Sequence, residues 1–218
     1  MKRIIPVIAA LSIVVALISC QAQTKKKGSS SDTKISLTPP AGKAVAAFAE
    51  GCFWCSEHIF EAVVGVDSAV SGYAGGTAAN PTYELVNTET TGHAESVLVY
   101  YNPTVITYAE LLKVFFTSQD PTTPDRQGPD RGNSYRSIIF YKTPEEKKLA
   151  EQAKNDFAKS FRDPIVSEIK PLTEFYRAED YHQDYIHHNP SSSYVRGVSI
   201  PRFELFKRTY KGKLKVKS

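Results

Sequence analysis

Hydrophobic positions along this chain fall into two regimes. Over residues 4–18 they form an almost unbroken run; from Val45 onward they recur with the periods of strands and helices. Residues 45–49 predict a short strand, apolar throughout and so buried on both sides. A helix is predicted next, with Phe53, Ile59, Phe60 and Val63 on its apolar side and Gly65 marking its end. Residues 66–72 alternate as a strand does and meet a glycine turn over 72–77. Residues 95–101 are a further strand. Residues 107–117 predict a helix capped by Thr107 and Glu110, with Tyr108, Leu111, Leu112, Phe115 and Phe116 on one face. Residues 120–135 form a long loop rich in Pro, Gly, Asp and Arg, and loops of that length usually carry function. Residues 137–141 return to strand. Thr143, Pro144 and Glu146 then open a helix as a capping box, with Leu149, Ala150, Ala153, Phe157 and Phe161 on its apolar side. Residues 165–169 and 175–177 are strand-like. No helical pattern links the strands across residues 77–93, so a strictly parallel sheet does not fit. The prediction is an α+β fold, a mixed β-sheet with helices packed on it.

The run at 4–18 is not part of that fold. Lys2 and Arg3 precede it and Leu17-Ile18-Ser19-Cys20 closes it, the layout of an export signal too short for a comfortable membrane span. Leu-Ile-Ser-Cys also resembles a bacterial lipobox, which implies that residues 1–19 are removed and Cys20 is lipidated. A plain signal peptide or short anchor, with Cys20 incidental, is the blander reading. Several acyl chains on Cys20 would anchor the protein stably, where one chain is marginal. Residues 20–43 read as the lipidated N-terminus and a flexible linker. Three lysines at 25–27, Gly28, a serine cluster and Pro39-Pro40 leave too little apolar surface to offset ordering. The lysine run suits a solvated linker better than a lipid-headgroup contact. Residues 44–218 then form one domain with a basic C-terminal extension, read over 202–217 as a solvated tail or last helix. Loss of residues 1–19 lowers the formal charge from +4 to +2, too mild a surplus to suggest nucleic acid. The expected location is the cell envelope, anchored to a membrane and facing outside the cytoplasm. A monomer is expected.

Gly51-Cys52-Phe53-Trp54-Cys55 concentrates the chemistry. Apart from Cys20 the chain has no other cysteine, so thiol chemistry must happen here. The attacking species is a thiolate. A helix beginning near Phe53 places Cys52 at its positive end, where free N–H groups and the dipole favour that charge. Gly51 lets the backbone bend before it. Phe53 and Trp54 can wall the sulfur with apolar surface, which suits an S-methyl group. Cys55 lies three residues on and can capture a sulfenic acid on Cys52 as a disulfide. A Cys-x-x-Cys pair in an exported protein is seldom inert. Covalent haem needs His after the pair, and Ser56 stands there. Zinc would need Cys52, Cys55 and His58 with one of His93, His182, His187 or His188, and no second paired motif exists. No metal or organic cofactor is implied. Thioredoxin-type exchange remains open on cysteine spacing.

Over residues 48–185 the chain resembles the peptide methionine sulfoxide reductase A family. The resemblance rests on Gly51-Cys52-Phe53-Trp54, Gly72-Tyr73-Ala74-Gly75-Gly76, Asn80-Pro81-Thr82-Tyr83, Thr91-Gly92-His93-Ala94-Glu95, Asp120-Pro121-Thr122-Thr123, Asp125-Arg126-Gln127-Gly128, Tyr135-Arg136-Ser137 and Ala178-Glu179-Asp180-Tyr181-His182-Gln183. Each is weak alone; together, in family order, they are specific. The resemblance implies a ferredoxin-like core and reduction of methionine S-sulfoxide in proteins. It assigns Cys52 as nucleophile and Glu95 as the acid that protonates the sulfoxide. It places Tyr83 and Tyr135 as hydrogen-bond donors to the oxygen, and Phe53 and Trp54 around the methyl group. Asp130 matches an acidic residue that helps fix the site, and His93 is expected to shape a turn.

Two departures stand out. Cys55 occupies a position that is glycine in many members, and the C-terminal end lacks the cysteine those members use. Cys55 is therefore the resolving candidate, as in the Cys-Phe-Trp-Cys branch, and a thioredoxin-like reductant must reopen the disulfide. Ser134 precedes Tyr135 where the family usually has Gln, an exchange expected to loosen the contacts behind the tyrosine. Two rivals remain: a thiol–disulfide oxidoreductase of the envelope, and a non-catalytic surface lipoprotein.

Overall fold

A computed structural model describes residues 33–215; the apolar run, Cys20 and residues 20–32 of the expected linker lie outside the described residues. The sheet's centre is β1 (Ala44–Glu50), whose residues 45–50 are buried. Val45, Ala47 and Ala49 face one apolar cluster while Ala46 and Phe48 face the other. A strand covered on both faces needs apolar residues without alternation, which is what its sequence supplies.

From β1 the chain passes through α1 (Phe53–Glu61), β2 (Val66–Ala74), the single-turn α2 (Tyr83–Val86), β3 (Ala94–Tyr101) and α3 (Tyr108–Thr117). The loop after α3 holds a small hairpin, β4 (Arg126–Gln127) with β5 (Asp130–Arg131), and a 3-10 turn over Asn133–Tyr135. Next come β6 (Ser137–Tyr141), α4 (Pro144–Ala158), β7 (Glu168–Pro171), β8 (Phe175–Arg177), a 3-10 turn over Asp180–His182, and α5 (Tyr185–His188). A π-helical turn over Val195–Ser199 runs directly into α6 (Ile200–Thr209).

The sheet order is β7-β6-β1-β3-β2-β8, antiparallel except for the parallel β6–β7 pair. Its central four strands, β6-β1-β3-β2, with α1 after β1 and α3 after β3, form the expected ferredoxin-like core. Phe48, Phe60, Tyr108 and Phe115 stack between the sheet and these helices.

Local details follow sequence chemistry with instructive exceptions. Thr107 and Glu110 form the expected capping box. Thr143 caps α4 through the Glu146 N–H, but the Glu146 carboxylate accepts from the Lys142 N–H one residue earlier, so that box is not closed as expected. Residues 77–93 contain the unpredicted α2, capped by Thr82. His93 shapes the turn as expected: Nδ1 accepts from the Gly76 N–H and Nε2 lies 2.8 Å from the Ala78 carbonyl. Part of the expected linker is built into the sheet edge. Ile35 donates to the Phe175 carbonyl, Arg177 donates to that of Thr33, and Ile35 and Leu37 pack on the core.

Of the two alternatives for the basic C-terminal stretch, the last helix holds, as α6. Phe203 and Phe206 of α6 are buried, and Leu214 pairs with Val63 at the far end of α1. Apart from Arg202, which points inward, the charges of α6 face outward, while the aromatic residues, three and four apart, line the inner side.

Candidate active site

The turn from β1 into α1 builds the centre. Gly51 has φ +85°, and a Cβ there would lie 2.4 Å from the Gln127 Cβ. Only glycine meets both demands without strain. Cys52 is the N-cap residue of α1, buried, with extended backbone and no capping hydrogen bond from its side chain. The first free amide of the helix, on Phe53, donates to Glu95 Oε2 at 3.0 Å. Glu95 enters from β3, 2 % exposed. Burial pushes its carboxyl up to about 8, helped by the charges of Asp130, Cys55 and Glu89 and opposed by the Phe53 N–H. At neutral pH it is mostly a protonated acid beside a nucleophile.

Tyr83, Tyr135 and Asp130 converge on the same point. Each of the two tyrosines is raised in pKa, by burial first and then by the nearby Glu95, Cys52 and Asp130 groups, so both stay protonated donors. Glu179 holds Tyr83 by accepting from its backbone N–H at 3.0 Å and also takes the Tyr73 hydroxyl at 2.8 Å. Ser134 tightens the turn behind Tyr135: its N–H and hydroxyl both donate to the Glu89 carboxylate, at 2.9 and 2.8 Å. The expectation of looser contacts there is overturned, because a short hydroxyl reaches a carboxylate that the Glu89 backbone, at φ +63°, brings close.

Phe53 is buried and Trp54 partly so. The indole N–H donates to His182 Nδ1 at 3.1 Å, and its ring stacks on Tyr185 at 3.7 Å. Burial lowers the His182 pKa, consistent with a neutral ring accepting at Nδ1. Tyr194 meets Trp54 edge-on and donates to Asp130 Oδ2 at 2.5 Å. Asp130 is therefore tied to the π-helical turn.

The thiols are free and share a hydrogen bond. Burial pushes Cys52 well up, with Cys55 and Glu95 adding to it. The Cys52 thiol, Arg202 and Ser199 together hold Cys55 down to about 6, against burial and the Asp130 charge. The two thiols share one buried site, so a negative charge there belongs to the pair. The expected helix-end support for a Cys52 thiolate is partly diverted, since the first amide of α1 donates to Glu95, and the nearby cation among the described residues interacts with both thiols. That cation is Arg202. Its Nη2 reaches Glu50 Oε1 at 3.1 Å and the Glu50 carbonyl at 3.0 Å, and its Nε reaches the Ser118 carbonyl at 2.7 Å.

A family model described as peptide methionine sulfoxide reductase matches residues 44–214, which hold every group above. The chain belongs to the peptide methionine sulfoxide reductase family. It is 47 % identical over 174 residues to peptide methionine sulfoxide reductase MsrA 1 of Rhodopirellula baltica, covering 80 % of this chain and 91 % of that one. The reduced form of Mxr1 from Saccharomyces cerevisiae superposes with a TM-score of 0.68 at 34 % identity, over 72 % of this chain and 94 % of that one. Mxr1 in complex with Trx2 matches with a TM-score of 0.50 at 28 % identity, over 69 % of this chain and 94 % of that one. The protein is thus an enzyme of the peptide methionine sulfoxide reductase class.

The structure brings Cys52, Cys55, Phe53, Trp54, Tyr83, Glu95, Asp130 and Tyr135 together. Sequence reasoning missed Tyr194, Ser199, Arg202, Glu50 and Tyr185. The available signal was the Phe203, Phe206, Tyr210 spacing after Pro201, which marks an amphipathic helix able to return to the core.

Proposed function

We propose that this reductase acts on methionine S-sulfoxide in proteins through a Cys52 sulfenic acid and a Cys52–Cys55 disulfide. The observation that carries this reading is one buried point where a protonated Glu95, two tyrosine hydroxyls and the Cys52 sulfur meet, walled by Phe53 and Trp54. Cys52 ionises as substrate arrives, its proton passing along the hydrogen bond to Cys55. The thiolate attacks the sulfoxide sulfur while Glu95 gives its proton to the oxygen. Tyr83 and Tyr135 hold the developing charge on that oxygen, where fixed donors in a dry site are most effective. The hydroxyl moves to the Cys52 sulfur, and methionine leaves. Cys55 then displaces that hydroxyl as water, closing the disulfide, which an external dithiol must reopen. Mxr1 has been solved with Trx2, which supports a thioredoxin-like reductant here.

The lipobox at residues 17–20 supports placement at a membrane outside the cytoplasm, where the enzyme would repair oxidised exported proteins. Incubation with dithiothreitol and separate S and R epimers of a methionine sulfoxide peptide tests the activity. Reduction of the S epimer alone is expected. No reduction of either by folded protein with both thiols free would sink the reading and favour an envelope thiol–disulfide oxidoreductase.

A further inference from the structure

Glu50 and Arg202 form a buried ion pair beside the turn that carries the two thiols, and the first step described above uses neither. Glu50 is 0 % exposed; Ser118 Oγ donates to its Oε2 at 2.6 Å, and Arg202 Nη2 donates to its Oε1 at 3.1 Å. The Arg202 side chain is 13 % exposed, with Nε on the Ser118 carbonyl. Nη1 lies 3.8 Å from where a Cβ on Gly51 would stand, beside the backbone that carries Cys52. One turn earlier on the same helical segment, Ser199 Oγ lies 3.3 Å from Cys55 Sγ. A buried ion pair is poor value as a stabiliser, since desolvation offsets its attraction. Its location suggests a different use.

We propose that the Glu50–Arg202 pair is a positioning device for the resolving step, with Arg202 holding charge on Cys55 and Glu50 limiting that hold. The inference rests on Cys55 being the resolving thiol. In that step the Cys55 thiolate attacks the Cys52 sulfur of the sulfenic acid. Cys55 first gives up the proton it took from Cys52; the S–S bond then forms, the S–O bond breaks, and the hydroxide leaves as water with that proton. No outside electrons are needed. The groups facing Cys55 come from several elements: Cys52 from the turn into α1, Glu95 from β3, Asp130 from β5, Glu50 from β1, and Tyr194, Ser199 and Arg202 from the C-terminal helical segment. Arg202 is the one cation among these described groups. Without it, the Cys55 thiolate would sit among carboxyl groups in a buried site, and its proton would be held more tightly.

The two halves of the pair should therefore act with opposite sign. Arg202→Met should move the pH midpoint of disulfide formation upward by about two pH units, which cuts the Cys55 thiolate fraction at neutral pH roughly tenfold. Arg202→Lys should restore most of the rate. Glu50→Gln keeps the Ser118 contact but removes a carboxyl that burial pushes up to about 7, so it should move the midpoint downward by less than Arg202→Met moves it upward. The experiment mixes each full-chain variant with one equivalent of methionine S-sulfoxide peptide and quenches it over time. Methionine release and the Cys52–Cys55 disulfide are then quantified by mass spectrometry across pH. The expected result is opposite shifts in the disulfide step, each larger than any change in methionine release. Shifts in the same direction, or none, in variants that still release methionine would overturn the inference. Absence of a Cys52–Cys55 disulfide in the unmodified protein would instead overturn the reading of Cys55 itself.

Discussion

In the proposed cycle Cys52 and Glu95 divide the chemistry between them, and each makes a measurable demand. Replacing Cys52 with Ser should abolish turnover. Replacing Cys55 with Ser should leave about one methionine released per enzyme and then stall, since sulfenic acid formation precedes resolution. Sustained turnover of that variant with a thioredoxin-like donor would remove Cys55 from the cycle. Glu95 must be protonated to act, and burial lifts its carboxyl to about 8. Single-turnover methionine release should accordingly fall as pH rises through about 8. Glu95→Gln should slow that step by about 10²- to 10⁴-fold, the usual worth of a positioned acid, and abolish this limb of the profile. These residue types were readable before folding, because thiols and aromatics at fixed local spacing announce their chemistry. The charge environment was not: Arg202, which lies far along the chain, is the cation beside the thiol pair among the described residues.

Among the elements, α1 is the most heavily constrained. Its entry requires Gly51 at φ +85° against Gln127, so Gly51→Ala should cost about 1–3 kcal/mol and displace Cys52. Chemical denaturation and turnover of the same preparation check both effects. The outer side of α1 carries Glu57, 3 % exposed, which accepts the Asp184 N–H at 3.0 Å. Burial pushes it up to about 8, with Glu61 and Asp184 adding like charge. A carboxyl whose folded pKa is raised binds its proton more tightly folded than unfolded. Its stabilising contribution is present at low pH and lost as pH rises through about 8. Glu57→Gln should therefore flatten the fall of Tm between about pH 5 and 8.5, and an unchanged slope would refute this. The helices and central strands were legible because period and capping are local. The hairpin β4–β5, α2 and the π-helical turn were not, since each is held by contacts from elsewhere. Asp130, for example, is fixed by the Tyr194 hydroxyl.

For the molecule as a whole, the sheet brings β1, β3 and the segment after β8 to one end, and α6 closes that end from behind. Glu179 and His182 follow the last strand, yet they hold Tyr83 and Trp54 from earlier parts of the chain. The proposed anchor belongs to the same view. In a bacterial host, Cys20→Ser should shift the full chain from the membrane fraction to the soluble fraction without changing its specific activity. Retention in the membrane would contradict lipidation at Cys20.

Beyond Glu95, which only the family resemblance named, sequence alone specified the Cys-Phe-Trp-Cys chemistry, the apolar periods of β1, β3, α1 and α3, and an α+β sheet. All of these depend on residues near one another along the chain. Tertiary structure alone decided which cation faces the thiols, which contacts steady Tyr135 and Trp54, and that the basic C-terminal stretch seals the site. Those outcomes depend on burial and on Coulomb interactions between groups up to 152 residues apart, as between Glu50 and Arg202. Only the folded chain sets the distances and the dielectric that give such interactions their strength.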